Sequence, residues 1–183
     1  MDFFAKGKRG NVYLCSGKEF NVNEKVVVKI FEREDRALNE AEFLMILNKF
    51  SIGPELFFYG DNFIVMEFCG GVPIKDYSFN PVDKSRIIKE VLLQCRQMDL
   101  LKINKLEMHK PLKHVIIGKK VWLIDFERCY YSEKPKNVSQ FCEYLVRLFG
   151  YSREEIIKLV KNYKKDYSNE SFDKILEFVE NNL

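Results

Sequence analysis

Val121-Trp122-Leu123-Ile124-Asp125-Phe126-Glu127-Arg128 is the stretch on which the reading of this chain turns. An apolar run delivers Asp125 and Phe126 into a charged segment. A carboxylate in that position can hold a divalent cation against a triphosphate, because hard cations take oxygen ligands and keep coordination sites for phosphate oxygens. The string Asp-Phe-Glu is short, and its meaning depends on what precedes it.

Immediately upstream, residues 114–117 and 121–124 are apolar runs flanking Gly118-Lys119-Lys120, which predicts a hairpin. Further back, residues 12–15 and 26–31 are short β-branched runs, with a polar turn beginning at Ser16-Gly17-Lys18. Residues 34–49 place Ala37, Leu38, Ala41, Leu44, Met45 and Leu47 at helical spacing, and Gly53-Pro54 closes that helix. Residues 55–59 and 63–68 flank Gly60-Asp61-Asn62, a second hairpin signal. The expected order up to residue 71 is therefore strand, strand, helix, strand, strand. Cys69-Gly70-Gly71 reads as a hinge, and the pattern beyond it turns helical. Asn80-Pro81 is a cap followed by proline at the first helical position, opening a helix to about residue 101 that turns Ile87, Ile88, Val91, Leu92 and Cys95 inward. Three more helices are predicted near 138–149, 152–166 and 171–181, the second opened by the capping box Ser152-Arg153-Glu154-Glu155.

A chain of 183 residues is one domain or two small lobes, and 46% apolar content with 16 Phe excludes disorder. The net charge of +3 is mild. Lys102, Lys105, Lys110, Lys113, Lys119 and Lys120 crowd one region, either as a solvated face or as an attraction for a polyanion such as RNA. Cys15, Cys69, Cys95, Cys129 and Cys142 are odd in number and scattered, so neither a disulfide framework nor a zinc site is suggested and buried thiols in a reducing cytosol are expected. The N-terminal residues lack a signal-peptide core, and no run approaches the roughly 18 apolar residues of a membrane span. A cytoplasmic protein with no membrane partner is expected.

Four upstream features give Asp125 its weight. Residues 5–12, Ala5-Lys6-Gly7-Lys8-Arg9-Gly10-Asn11-Val12, fit Gly-x-Gly-x-x-Gly-x-Val with Ala for the first Gly. Glycines there let backbone amides approach phosphate oxygens, although an ordinary turn has the same composition. Lys29 ends Val26-Val27-Val28-Lys29, where its ammonium either aims inward at phosphates or snorkels out at a sheet edge. Glu40 on the following helix is the candidate partner, with Glu42 in competition. Met66-Glu67-Phe68-Cys69-Gly70-Gly71 is an extended segment whose backbone can hydrogen-bond an adenine edge. None of these is specific alone; their order and spacing are.

Over residues 5–128 the chain resembles the eukaryotic-like protein kinase superfamily, especially its compact archaeal and RIO-like members. The resemblance implies an α+β, bilobal fold over 1–183: a small antiparallel-sheet N-lobe with one helix (1–69) and a reduced, mainly helical C-lobe (70–183). It implies that Gly7, Gly10 and Val12 belong to the Gly-rich loop, that Lys29 anchors the α- and β-phosphates of ATP with Glu40 as its helix partner, and that Met66 with Glu67 and Cys69 forms gatekeeper and hinge. Asp125 takes the place of the metal-binding Asp of Asp-Phe-Gly, with Mg2+ or Mn2+ as the ion.

The pattern breaks in the catalytic loop. The family has an Asp there with an Asn five residues on. Counting back from Asp125 places His114 at the Asn position and His109 at the Asp position, within Glu107-Met108-His109-Lys110-Pro111-Leu112-Lys113-His114. Neutral His109 can accept the proton of an attacking hydroxyl, and Glu107 can reach the site if the loop is reshaped. Lys113 is placed to neutralise charge on the transferring phosphoryl group. His114 lacks the hard oxygen of Asn, so a second metal is weaker or softer there, and Glu127 can supply the missing oxygen. Glu127 replaces a glycine that permits backbone switching in the family, and no Ala-Pro-Glu segment follows Arg128.

These readings converge on an atypical minimal kinase that transfers the γ-phosphate of ATP to a hydroxyl, a protein Ser/Thr by resemblance and a small molecule as the other acceptor class. Two rivals stand beside it: a pseudokinase scaffold, and an accessory ATPase of an RNA-modifying complex.

Overall fold

The β-branched run around Val26-Val27-Val28 becomes the middle of a five-stranded antiparallel sheet. In the computed structural model, which describes residues 1–7 and 10–183, the chain divides into two compact units. The first comprises Met1–Gly70 and Trp122–Cys129, the second Gly71–Val121 and Tyr130–Leu183. Residues 122–129 join the first unit across a long gap in sequence.

The first unit contains β1 (Asp2–Lys6), β2 (Gly10–Ser16), β3 (Lys25–Phe31), α1 (Glu34–Leu47), β4 (Leu56–Tyr59) and β5 (Phe63–Glu67). The sheet order is β1-β2-β3-β5-β4, and every neighbouring pair is antiparallel. Cys15, Val26, Val28 and Val65 form one buried cluster of the sheet. The helix α1 packs against β3, β4 and β5. It buries Ala37, Glu40, Ala41, Leu44 and Leu47, one stripe at helical spacing, while Leu38 and Met45 face solvent. A buried carboxylate in an otherwise apolar stripe needs a partner.

Strand β1 was not expected. All five of its residues are exposed, so no burial alternation marks them in the sequence. Pairing with β2 defines the strand, with a bulge between Phe3 and Ala5. The expected hairpin around Gly60-Asp61-Asn62 is present as β4 and β5.

The second unit contains β6 (Gly71–Pro73), α2 (Pro81–Leu100), β7 (Ile103–Asn104), β8 (Val115–Gly118), β10 (Tyr130–Tyr131), α3 (Asn137–Phe149), α4 (Arg153–Asp166) and α5 (Asn169–Asn181), while β9 (Val121–Leu123) begins in it and ends in the first. Strand β6 pairs with β8 and β7 with β10. At the predicted turn, the Gly118 N–H donates to the Lys120 carbonyl at 3.0 Å, and β9 then leads the chain into the first unit. Asn80 caps α2 by accepting from the Asp83 N–H, and Ile87, Ile88, Val91, Leu92 and Cys95 are fully buried. Ser152 caps α4 by accepting from the Glu155 N–H.

Helix α3 has no side-chain cap from its own preceding residue, Lys136. Asp99, near the end of α2, replaces it: its carboxylate accepts from the Asn137 N–H at 2.9 Å, the Val138 N–H at 3.3 Å, the Asn137 amide at 2.8 Å and the Tyr163 hydroxyl at 2.9 Å. A first-turn anion of this kind satisfies donors the helix cannot satisfy itself. Burial nonetheless pushes the Asp99 carboxyl up to about 6 against the pull of those donors.

All five cysteines are free thiols; Cys15, Cys95, Cys129 and Cys142 are buried and Cys69 half-buried. Among the described residues, no helix is long and apolar enough to cross a membrane.

Candidate functional site

The buried charge on α1 finds its partner on the central strand. Lys29 lies on β3 between Val12 of β2 and Ile64 of β5, and its Nζ donates to Glu40 Oε2 at 2.7 Å. Glu40 is 1% exposed and Lys29 13%, so this is an interior ion pair. Glu42, the competing residue, is exposed. The same ammonium donates to Asp125 Oδ1 at 2.8 Å and lies 3.6 Å from Glu127 Oε2. It also stands 4.7 Å from the centre of the Phe31 ring.

Residues 125–129 are fastened to α1 from two sides. The Phe126 N–H donates to the second oxygen of Glu40 at 3.0 Å, and the Asn39 amide donates to the carbonyls of Glu127 at 3.0 Å and Cys129 at 3.2 Å. The Phe126 ring is fully buried beside Gly53 and Leu44. Gly53 has φ +81°, and a Cβ there would come within 2.9 Å of that ring, so the position requires glycine. Asp125 itself adopts φ 68°, an uncommon left-handed conformation that Asp tolerates better than most residues. The surrounding anchors hold it there.

Burial alone would lower the Lys29 pKa, but the Glu40 and Asp125 charges outweigh it and hold the ammonium well above its ordinary range. Burial pushes the Glu40 carboxyl up, countered by Lys29 and the Phe126 N–H. One ammonium thus stands among three carboxylates. Oxygens of Glu40, Asp125 and Glu127 lie within 4.8 Å of one another, a hard donor set that suits Mg2+ or Mn2+. Asp125 is the most open of the three at 36% exposure.

Elsewhere in the first unit, the Gly7 N–H donates to the Gly10 carbonyl at 2.8 Å; Lys8 and Arg9 of the glycine-rich stretch lie outside the described residues. A Cβ on Gly10 would stand 2.2 Å from the Ile30 carbonyl oxygen, so close approach to β3 already accounts for that glycine. Met66 lies opposite Val27 and Leu56 in the sheet. Glu67 is tied by its backbone N–H to the Glu55 carbonyl at 2.8 Å and by its carboxylate to the Trp122 indole at 3.2 Å, and Cys69 follows it.

Glu107, His109, Lys113 and His114 belong to the second unit. His109 is exposed, with Nδ1 3.0 Å from the Leu106 carbonyl; a carbonyl only accepts, so Nδ1 is the donor of that contact. The His109 carbonyl accepts from the Arg147 guanidinium. Lys113 is exposed, and the His114 N–H donates to the Pro111 carbonyl at 2.9 Å. Lys105 departs from expectation: it is fully buried with its ammonium 3.4 Å from Glu107, so it is no part of a basic face. Asn39 was passed over in the sequence, where it sits beside the more conspicuous Glu40.

No protein-family model matches the sequence. No curated protein matches it either. The fold is similar to the crystal structure of the Rio2 kinase from Chaetomium thermophilum, with a TM-score of 0.63 and 12% identity over 82% of this chain and 56% of that one. The chain therefore spans little more than half the length of that neighbour. A second structure, the Rio2 kinase-ADP/Mg2+-phosphoaspartate complex from the same organism, gives a TM-score of 0.64 and 12% identity over 100% of this chain and 71% of that one. The fold is protein-kinase-like, with a small antiparallel-sheet unit and a mainly helical one.

Proposed function

We propose that this chain is an atypical minimal kinase that binds ATP with Mg2+ or Mn2+ and transfers the γ-phosphate to a hydroxyl, a protein Ser/Thr or a small molecule. The observation that carries the reading is the Lys29–Glu40 pair at 2.7 Å with Asp125 on the same ammonium at 2.8 Å. A fold alone implies no activity, whereas a buried lysine poised beside a partly open carboxylate cluster is suited to phosphate and cation together. In this reading residues 1–183 form one kinase-like domain with lobes 1–69 and 70–183, acting in the cytoplasm.

Each residue then has a part. Lys29, held charged and aimed by Glu40, orients the phosphates, and Gly7, Gly10 and Val12 border them. Met66, Glu67 and Cys69 face the base. Asp125 and Glu127 would hold the divalent ion, which when bound supplies positive charge against the phosphate oxygens. His114, an imidazole rather than an amide oxygen, is the poorer ligand for a hard ion. His109, through its Nε2, accepts the acceptor hydroxyl's proton, with Glu107 as the other candidate base and Lys113 countering charge on the phosphoryl group.

A pseudokinase is favoured by one feature, the lack of any Asp in residues 107–114. Transfer from ATP labelled at the γ-phosphate decides between them, measured with wild type and Asp125→Asn in Mg2+ and in Mn2+ beside free-phosphate release. Asp125-dependent label on an acceptor is the expected result. Free phosphate alone would indicate an ATPase, and ATP binding without turnover would make the chain a pseudokinase.

A further inference from the structure

A groove of about 430 Å³ lies within the second unit, beside the loop that carries His109. Three cations line it, Lys75, Lys110 and Arg147, and none of its described lining residues is acidic. Lys75 pairs at the surface with Asp76 at 3.0 Å, an exposed pair of the kind that contributes little and exchanges readily for another anion. Between the cations the wall is apolar and aromatic: Tyr77 and Phe79 pack edge to face at 5.3 Å, and Leu148 is 41% exposed. These walls are fixed from behind. Phe79 packs on Phe149 at 5.8 Å, the Tyr77 hydroxyl donates to Asp83 at 3.0 Å, and the Lys75 N–H donates to the Leu112 carbonyl at 3.3 Å.

Charge is also divided unevenly along the chain. The second unit holds 20 of the 30 Lys and Arg residues but only 14 of the 27 Asp and Glu. Lys102, Lys113, Lys119 and Lys120 of that unit are exposed. An aromatic-walled groove lined by three cations, in a unit with an excess of basic residues, complements a ligand that alternates planar rings with anions.

We infer that this groove binds single-stranded RNA, seating a base against Tyr77, Phe79 and Leu148 while Lys75, Lys110 and Arg147 hold the flanking phosphates. A duplex does not fit the same site, because its bases are stacked and paired away from the aromatic wall. The size suits one nucleotide unit rather than a folded partner. This inference goes beyond the phosphotransferase reading and does not depend on it.

Fluorescence anisotropy with a labelled oligouridylate of about eight nucleotides tests it, since single-strand sites commonly span that range. Wild type binds the single strand more tightly than a duplex of equal length. Phe79→Ala weakens it about tenfold, within the range found for losing one stacked base. The exposed change Lys110→Glu weakens it and flattens its salt dependence, so the outcome does not hang on the folding of the Phe79 variant. Asp125→Asn binds as wild type does, which keeps the result separate from the ATP site. Absence of binding would overturn the proposal. So would equal affinity for duplex and single strand with Lys110→Glu unchanged, or preferential capture of a glutamate-rich peptide in the groove.

Discussion

Removing the Lys29 ammonium tests the site through its energetics, independently of turnover. In Lys29→Met, Glu40 Oε2 loses its partner at 2.7 Å while Oε1 keeps the Phe126 N–H at 3.0 Å. Asp125 and Glu127 lose the charge they share as well. Breaking one side of a buried ion pair costs about 3–5 kcal/mol, because the remaining charge is left desolvated. Glu40 can escape part of that cost by taking up a proton, and burial already pushes its carboxyl up from the ordinary 4.5. The sign follows from linkage. In the variant the folded state keeps a proton that the unfolded chain releases above about pH 4.5, so the variant loses stability as pH rises. Its deficit against wild type is therefore small near that pH and widest at about pH 8. Adding Glu40→Gln removes the buried charge, and the double variant should recover about 2 kcal/mol relative to Lys29→Met at about pH 8. Urea unfolding of wild type, Lys29→Met and the double variant at about pH 5 and about pH 8 measures this, a deficit of about 3 kcal/mol shifting the midpoint by about 1–3 M. A deficit that does not change with pH, or a double variant no more stable than the single one, would refute a buried pair in which Lys29 keeps Glu40 ionised.

Asp125→Asn should abolish metal-dependent nucleotide binding while leaving the unfolding midpoint within about 1 kcal/mol, since Asn also tolerates the left-handed backbone; calorimetric titration with ATP and Mg2+ reads the first and denaturation the second. Glu127→Gly removes the third carboxylate from the Lys29 ammonium and should strengthen ATP binding measured without divalent ions, so unchanged or weaker binding would count against competition between Glu127 and phosphate. His109→Ala should slow turnover at least tenfold with little change in ATP affinity, in line with the loss of a general base; a normal rate in single-turnover assays would move the role to Glu107. Asp99, pushed up to about 6 from 3.8, stays protonated in the fold after the unfolded chain has lost its proton, so it costs the fold up to about 3 kcal/mol as pH rises from about 4 to about 6. Asp99→Asn should remove that part of the slope in thermal unfolding across the same range, and an unchanged slope would assign it to another group.

Much of this was legible in the order of residues. Helix α2 was readable because Asn80-Pro81 is a local start signal and Ile87, Ile88, Val91, Leu92 and Cys95 recur on one face. Strand β1 was not, because a strand exposed along its whole length owes its existence to the neighbour it pairs with. Leu38 and Met45 read as core and are exposed, since spacing marks a stripe without saying how wide a stripe the sheet can cover. Lys105 read as one of a basic group and is buried, because burial of a charge depends on a partner that composition does not reveal.

The sequence by itself determined the candidates: Lys29 closing an apolar strand, Glu40 in the next helix, Asp125 after an apolar run, and two histidines where the resembling family has Asp and Asn. These follow from local pattern, which periodicity and residue chemistry carry. Only the tertiary structure decided that Glu40 rather than Glu42 takes Lys29, that Glu127 joins them, and that Asn39 and Phe126 bind the segment to the helix. The physical reason is that the ammonium on β3 and the carboxylate at 125 are separated by 96 positions in sequence and by 2.8 Å in space. A contact of that kind is set by how helix, sheet and returning strand pack, and no local propensity encodes it.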